Sequence, residues 1–334
     1  MTETLLNTLE FFHSIKSKKI KNGKLLVILD YDYFLQKEDF NILLNKFERL
    51  YFIPIEESIK LESYSLLKRK LHKTYSNLTL IYNPEYQKYF GNKIELGFDK
   101  DNQIVVKNVF DFCEIYLKKC YVSDNVSILN PSLNNLQYFG ITTRIIKKSV
   151  DWFVGLSIYL ISQPLWLISA IRINLESPGP IFFKQSRIGI RNNEINVIKF
   201  RSMQVDAEKL GAQFSKKNDA RIFQWGKIMR TTRIDELPQL FNIIKGELSL
   251  IGPRPERKVF IEVFKEKIPQ YEVRHTVKPG ITGYAQIMYP YGAGAKDARH
   301  KLMYDLYYIK NWNLALELKI IFKTIITIVN KKGH

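Results

Sequence analysis

In "RIDELPQLFNIIKGELSLIGPRP", residues 233–255, two carboxylates stand side by side, Asp235 and Glu236, with Arg230, Arg233 and Arg254 nearby in the chain. Adjacent acids repel, so the pair needs a reason. One reason is structural. Leu237, Leu240, Phe241 and Ile244 recur at helical spacing, Pro238 falls in the first turn and Gly246 closes the segment. Asp235 is then an N-cap with Glu236 just behind it. The other reason is chemical. A helix start favours ionised carboxylates, which leaves an oxygen available as nucleophile or metal ligand. Arg254, fixed between two prolines in "GPRP", suits a phosphate oxygen.

Charge distribution favours the chemical reading. The chain of 334 residues carries a net charge of +18. Residues 1–140 hold 19 basic against 17 acidic groups, whereas residues 141–334 hold 32 against 16. The second part therefore faces something anionic, such as lipid headgroups or phosphorylated substrates. Two cysteines, Cys113 and Cys120, are too few for a disulfide framework, and five scattered histidines supply no zinc site. They read as reduced thiols on one face of a helix. No signal peptide is expected from "MTETLLNTLEFFHSIKSKK".

The elements that must position the acids include an apolar run, "WFVGLSIYLISQPLWLISAI", residues 152–171, without a charged side chain. Its length suits a membrane helix at about 150–172. Arg144, Lys147 and Lys148 precede it, while Arg172, Lys184, Arg187 and Arg191 follow, so both flanks prefer the cytoplasmic side. Pro164 near the middle breaks the backbone ladder, and Ser162 and Gln163 are placed to satisfy the exposed carbonyls. A re-entrant, kinked helix answers both features; a bent spanning helix is the other reading. Near the C-terminus, Leu314, Leu318, Ile321, Ile325 and Ile328 share one helical face beside several lysines. A helix over about 305–330 either lies in the membrane interface or packs on its domain.

The expected organisation is a small α/β unit over 1–122, a linker over 123–143 and a mixed α+β domain over 144–334. In the first unit "KLLVILDYDYF" and "NLTLIYNPEY" read as strands, "FNILLNKFERL" and "VFDFCEIYLKKC" as helices. Asp30 and Asp32 follow the first strand, and with Phe34 two residues on they read as surface acids rather than a phosphatase site. Farther along, "SPGPIFFKQSRIG" and "EINVIKFRSM" read as two strands joined through "IRNN", with residues 204–232 helical and polar.

Five blocks in order, "SPGPIFFKQSRIG", "KFRSM", "DELPQLFNIIKGELSLIGPRPE", "VKPGITGYAQI" and "YDLYYIKNWNL", resemble the bacterial sugar transferases, the monotopic polyprenyl-phosphate phosphoglycosyl transferases. The resemblance covers about 145–325. It implies a monotopic membrane protein at the cytoplasmic face of the bacterial inner membrane, with a re-entrant helix and a small mixed catalytic domain. The implied reaction moves a sugar 1-phosphate from a nucleoside diphosphate sugar, usually a UDP-sugar, to polyprenyl (undecaprenyl) phosphate. Asp235 matches the family's nucleophile, which forms a phosphoglycosyl-aspartate, and Glu236 matches the ligand of Mg2+. Arg254 is the first candidate for gripping phosphate, followed by Arg201 and Lys199; Arg230 and Arg233 either assist or are solvated flanking charges. Gly280 and Gly283 read as turn residues. Pro164 matches the mid-helix proline of the family, while Gln163 stands where a serine is common.

Large relatives carry four membrane spans ahead of the catalytic part and small ones begin at the re-entrant helix, so the front 140 residues are a departure from both. Inner-membrane lipid is an expected partner, a homo-oligomer is left open, and nucleic acid is not expected. The competing class is a non-catalytic membrane adaptor holding anionic lipid. The intact acid pair argues against it, because an adaptor needs neither acid.

Overall fold

The computed structural model describes residues 24–29, 35, 37–53, 77–82, 98–99, 104–123, 129–134, 139–207, 219–289, 292 and 294–329. The chain divides into two compact units, Met1–Tyr121 and Val122–His334.

In the first unit, β1 (Lys24–Leu29), α1 (Lys37–Leu44), β2 (Arg49–Ile53), β3 (Asn77–Tyr82), β4 (Phe98–Asp99) and β5 (Ile104–Asn108) build one sheet of order β2-β1-β3-β5-β4. All pairings are parallel except β4 with β5. The unbroken apolar run of β1 suits a central parallel strand buried on both faces, and Leu26, Val27 and Ile28 are fully buried. The helix α2 (Val109–Phe112) runs on into a wide turn over Cys113–Leu117, which Lys118 ends in the left-handed conformation. Cys120 therefore lies beyond the helix, not on one face of it with Cys113. Both thiols are buried, and desolvation pushes Cys113 up to about 12, which makes it unreactive. A buried ion pair joins Lys119 to Asp39 at 2.5 Å. Asp30 and Asp32 fall outside the described residues.

In the second unit a 3-10 turn at Pro131–Leu133 precedes a bent helix pair. The helix α3 (Ile141–Ile161) meets α4 (Gln163–Glu176) at 59°, and among the described residues no single helix is long and apolar enough to cross a membrane. The break follows from Pro164, which has no N–H for the preceding turn. The Ser162 hydroxyl and the Gln163 amide both donate to the Tyr159 carbonyl, and Trp166 Nε1 donates to Ser162. Helix α3 starts nine residues before the expected membrane segment because its first turns carry internal contacts. Lys147 is ion-paired with Glu317 at 2.7 Å, and Asp151 accepts the Leu250 amide. Past that point the pair is apolar and open, with Phe153, Leu160, Ile161, Leu167 and Leu175 all exposed.

The hairpin β6 (Phe182–Ile188) and β7 (Glu194–Phe200) is antiparallel, with Phe183 opposite Lys199. It is followed by α5 (Gln224–Thr232), a 3-10 segment Ile234–Gln239, and α6 (Leu240–Ile244), closed at Gly246 with φ +77°. The expected helix over 204–232 is thus confined, among the described residues, to its last nine positions. Next come β8 (Ser249–Ile251), α7 (Lys258–Lys267), a 3-10 turn at Tyr271–Thr276, β9 (Gly280–Thr282), α8 (Tyr284–Met288), α9 (Ala295–Lys310) and α10 (Leu314–Val329). The single C-terminal helix expected over about 305–330 is two helices, α9 and α10, broken at 311–313. There the Asn313 side chain accepts the Leu316 amide.

Helix α10 answers the question left by its sequence. Ile320 and Glu317 are buried against the domain, whereas Leu314, Leu318, Phe322 and Ile325 stay exposed. Glu317 Oε1 accepts from Lys147, Tyr308 and Trp312 at 2.6–2.7 Å, so one buried carboxylate ties α3, α9 and α10 together. The main core lies beneath, built from Leu240, Ile243, Ile251, Val277, Tyr284, Tyr304 and Tyr308.

Candidate active site

Arg233 adopts the left-handed conformation, φ 62°, between α5 and the 3-10 segment. A non-glycine residue there costs of order 1 kcal/mol and is held only by its surroundings. The turn delivers Asp235 and Glu236 into a buried position, where 7% and 6% of their surfaces remain accessible. Asp235 is therefore not the N-cap that the spacing indicated. Both acids lie inside a tight first turn that Arg233 starts, and Pro238 sits within it.

The two carboxylates have opposite surroundings. Glu236 Oε1 meets Arg254 Nη2 at 2.7 Å, Lys199 Nζ at 3.3 Å and Arg233 Nη1 at 3.7 Å. Burial alone would raise its pKa, but Arg254, Lys199 and Arg233 outweigh that and hold the carboxyl well below the usual range. Asp235 Oδ1 is buried with no hydrogen-bond partner. Desolvation first, and the Glu236 charge second, push Asp235 up to about 6 against the attraction of Lys199, Arg230 and Arg233. A carboxylate with an unsatisfied, desolvated oxygen beside a cation cluster is suited to attack on phosphorus.

The frame around the pair explains which cations arrive. Lys199 extends from β7, and burial lowers its pKa although Glu236 opposes that. Asn242 anchors β7 to α6: its side chain accepts the Ile198 amide and donates to Asn196 O. Arg254 follows β8, and its loop is clamped on β9. The Gly252 amide donates to Thr282 O and the Gly280 amide to Pro253 O, both at 2.9 Å. A Cβ at Gly280 would lie 2.1 Å from Gly252 N, and one at Gly283 2.2 Å from Gly252 O. These glycines permit two backbones to touch rather than making the tight turn their spacing indicated.

Of the residues picked from sequence, Glu236, Lys199, Arg233 and Arg254 converge within one cluster with Asp235. Arg230 acts on Asp235 through its charge. Arg201 is turned elsewhere. Its guanidinium donates to Pro180 O at 2.6 Å and Ser177 Oγ at 2.5 Å, and also to Ser177 O, so it braces the Pro-Gly-Pro turn ahead of β6. Sequence reasoning passed over Arg274. It is buried, donates to Arg254 O at 2.9 Å and to Tyr271 OH at 2.7 Å, and is ion-paired with Asp305 at 2.9 Å. Its surroundings, "YEVRHTVKPG", are rich in charged and polar residues and gave no signal that this arginine is buried. Arg187, likewise passed over as a site residue, donates to Pro255 O and is paired with Glu256.

Among the described residues no group of three or more His, Cys, Asp or Glu is gathered. A divalent ion here would have one or two carboxylates and would draw its remaining oxygens from a phosphorylated substrate, the usual arrangement for Mg2+. The orphaned Asp235 Oδ1 beside Glu236 fits that donor set.

The sequence pattern described as "Bacterial sugar transferase" matches residues 142–331. Over 188 residues the chain is 47% identical to a UDP-N-acetylgalactosamine-undecaprenyl-phosphate N-acetylgalactosaminephosphotransferase from Aeromonas hydrophila, covering 56% of this chain and 44% of that one. It is 38% identical over 197 residues to a UDP-glucose:undecaprenyl-phosphate glucose-1-phosphate transferase from Escherichia coli (strain K12), covering 57% and 42%. It is 40% identical over 190 residues to the exopolysaccharide production protein PSS from Rhizobium leguminosarum bv. phaseoli, covering 55% and 94%. The match thus spans under half the length of the first two relatives and nearly all of the third.

Proposed function

The chain belongs to the bacterial sugar transferase family, and from that premise we propose that it transfers a sugar 1-phosphate from a UDP-sugar to undecaprenyl phosphate through Asp235. The observation that carries this reading is the contrast within the pair: Glu236 is gripped by three cations, while Asp235 Oδ1 is buried and unpartnered.

In the first half-reaction an Asp235 oxygen attacks the sugar-bearing phosphorus. A P–O bond forms, the bond to the nucleotide phosphate breaks, and nucleoside monophosphate leaves with the electron pair. Lys199, Arg233 and Arg254 offset the charge that gathers on the transferred phosphoryl oxygens. In the second half-reaction a phosphate oxygen of the acceptor attacks the same phosphorus and releases Asp235. One site can serve two bulky anions in turn because each displacement uses the same carboxylate. Mg2+ held by Glu236, with Asp235 Oδ1 beside it, would neutralise the diphosphate of the donor.

The apolar surfaces support a location at the membrane. In this reading the bent pair α3–α4 dips into the cytoplasmic leaflet and returns, with the exposed Arg144, Lys148 and Arg172 in the headgroup region. The exposed stripe of α10 lies in the same interface. The test uses full-length protein in native membranes with UDP-N-acetylgalactosamine and UDP-glucose. Wild type releases nucleoside monophosphate and accumulates a phosphoglycosyl adduct on Asp235, seen by mass spectrometry of quenched mixtures; Asp235→Asn does neither. Near-normal release by Asp235→Asn removes this residue as nucleophile.

A further inference from the structure

Between the end of β8 at Ile251 and the start of α7 at Lys258 the chain has no regular element, yet this loop carries Arg254, whose guanidinium grips Glu236. Pro253 and Pro255 have no N–H to donate, which shifts the attachment of the loop toward its carbonyls. The Gly280 amide donates to Pro253 O and the Ile188 amide to Glu256 O, both at 2.9 Å. The two carbonyls between them are taken by guanidinium groups. Arg274 donates to Arg254 O at 2.9 Å and Arg187 to Pro255 O at 3.3 Å.

Of the two arginines, Arg274 is the buried one. Its Nη2 stands 2.9 Å from Asp305 Oδ2 and 2.9 Å from Arg254 O, and Nη1 donates to Tyr271 OH at 2.7 Å. Asp305 and Tyr271 are buried as well, so α9 and the turn at Tyr271–Thr276 enclose a whole ion pair whose hydrogen bond beyond those two elements goes to Arg254 O. Replacing a buried ion pair by apolar side chains often leaves a protein equally stable, so stability alone is a poor reason for this one. Geometry is a better one. Pro255 keeps Arg254 out of the helical region but leaves a wide extended range, and a fixed donor on the Arg254 carbonyl narrows it. A planar fork clamped at both of its terminal nitrogens is stiff enough to do that.

Resting on the transferase reading above, we propose that Arg274 is a positioning residue for Arg254. By holding the Arg254 carbonyl it sets the direction in which the Arg254 side chain leaves the loop, and with it the contact to Glu236 and to the phosphoryl group in transfer. Asp305 and Tyr271 aim Arg274, which itself touches no substrate. Its effect on turnover therefore passes through Arg254.

A double-mutant cycle on the full-length protein in detergent micelles tests this, with UDP-N-acetylgalactosamine and UDP-glucose as donors and undecaprenyl phosphate as acceptor. Arg274→Met combined with Asp305→Leu removes the pair without stranding a charge. It should lower kcat/KM for the donor about tenfold while Tm stays within a few degrees of wild type, and it should lower kcat/KM by less than about twofold once Arg254 is already alanine. Arg274→Lys, which keeps the charge against Asp305 but has no planar fork, should fall between the pair-free variant and wild type. An unchanged kcat/KM overturns the assignment. So does an equal loss in both backgrounds, which marks an effect of Arg274 on substrate or fold by itself. Where the pair-free variant does not fold, Arg274→Lys is held to the same two criteria. The cycle can also be read by thermal unfolding, without turnover: Arg254→Ala should lower Tm less in the Arg274 variant than in wild type, and equal shifts overturn the proposal. Failure of the transferase reading looks different: wild type would release no nucleoside monophosphate from either donor while the thermal cycle still shows the coupling.

Discussion

Asp235→Asn removes the proposed nucleophile, yet it should make the metal-free protein more stable at pH 8. Burial and the charge on Glu236 raise Asp235 from 3.8 to about 6. A folded-state value above the unfolded one means that stability is fully present below 3.8 and is lost as pH rises through about 6. A shift of roughly two units at 1.36 kcal/mol each puts the cost of the ionised carboxylate at about 3 kcal/mol at pH 8, falling to about 1 kcal/mol at pH 4.5. Asparagine preserves the shape and cannot ionise, so the variant escapes that cost. The groups facing the carboxylate, Glu236, Lys199, Arg230 and Arg233, are unchanged in it. The assay is thermal unfolding of both proteins in detergent with a chelator, at pH 8 and pH 4.5. For a unit of this size 1 kcal/mol moves Tm by about 2–4 °C, so the variant should melt roughly 6–12 °C higher at pH 8 and only a few degrees higher at pH 4.5. Any packing difference between the side chains is common to both pH values and cancels. A gap that does not change with pH, or one that favours wild type at pH 8, would refute the claim that Asp235 is held ionised against its surroundings.

Three further outcomes follow from the same geometry. Arg254→Ala should lower kcat/KM for the donor by the equivalent of about 2–5 kcal/mol, because it leaves buried Glu236 short of its nearest cation, and Arg254→Lys should recover part of that in steady-state assays. Gly280→Ala should unfold the β8–β9 contact, since its Cβ would lie 2.1 Å from Gly252 N; low soluble yield and a depressed Tm would register it, and a wild-type melt would contradict it. Glu317→Gln should cost about 3–5 kcal/mol by stranding Lys147 in a buried site, whereas pairing it with Lys147→Met should return most of that stability in a double-mutant cycle read by thermal unfolding.

Much of the fold was legible because its determinants are local. The uncharged stretch at 152–171 and Pro164 announce a long helix with a break, and the structure bends there by 59° with Ser162 and Gln163 satisfying the Tyr159 carbonyl as expected. The hairpin of β6 and β7 and the closing Gly246 came from the same kind of signal. Illegible features are those in which local preference yielded to a distant partner. The helical spacing after Asp235 predicted an N-cap, but the left-handed Arg233 imposes a tighter turn. Holding that turn takes a guanidinium–carboxylate contact and burial that no propensity records. The C-terminal apolar stripe extends over one helix in sequence, yet the chain breaks at 311–313 so that Glu317 can reach Lys147, Tyr308 and Trp312.

By itself the sequence determined which residue types were available: an adjacent acid pair, an excess of cations, an apolar stretch with a proline, and five blocks in order. Those depend on composition and short-range spacing, which the chain carries without folding. Only the tertiary structure decided how the cations are shared out. Lys199 and Arg254 lie 37 and 18 positions from Glu236 and converge on one of its oxygens, while Arg201, two residues from Lys199, turns to Ser177 and Pro180. Neighbours in sequence can serve opposite ends of a domain because each buried charge must find its own partner in space, and that choice is made by packing.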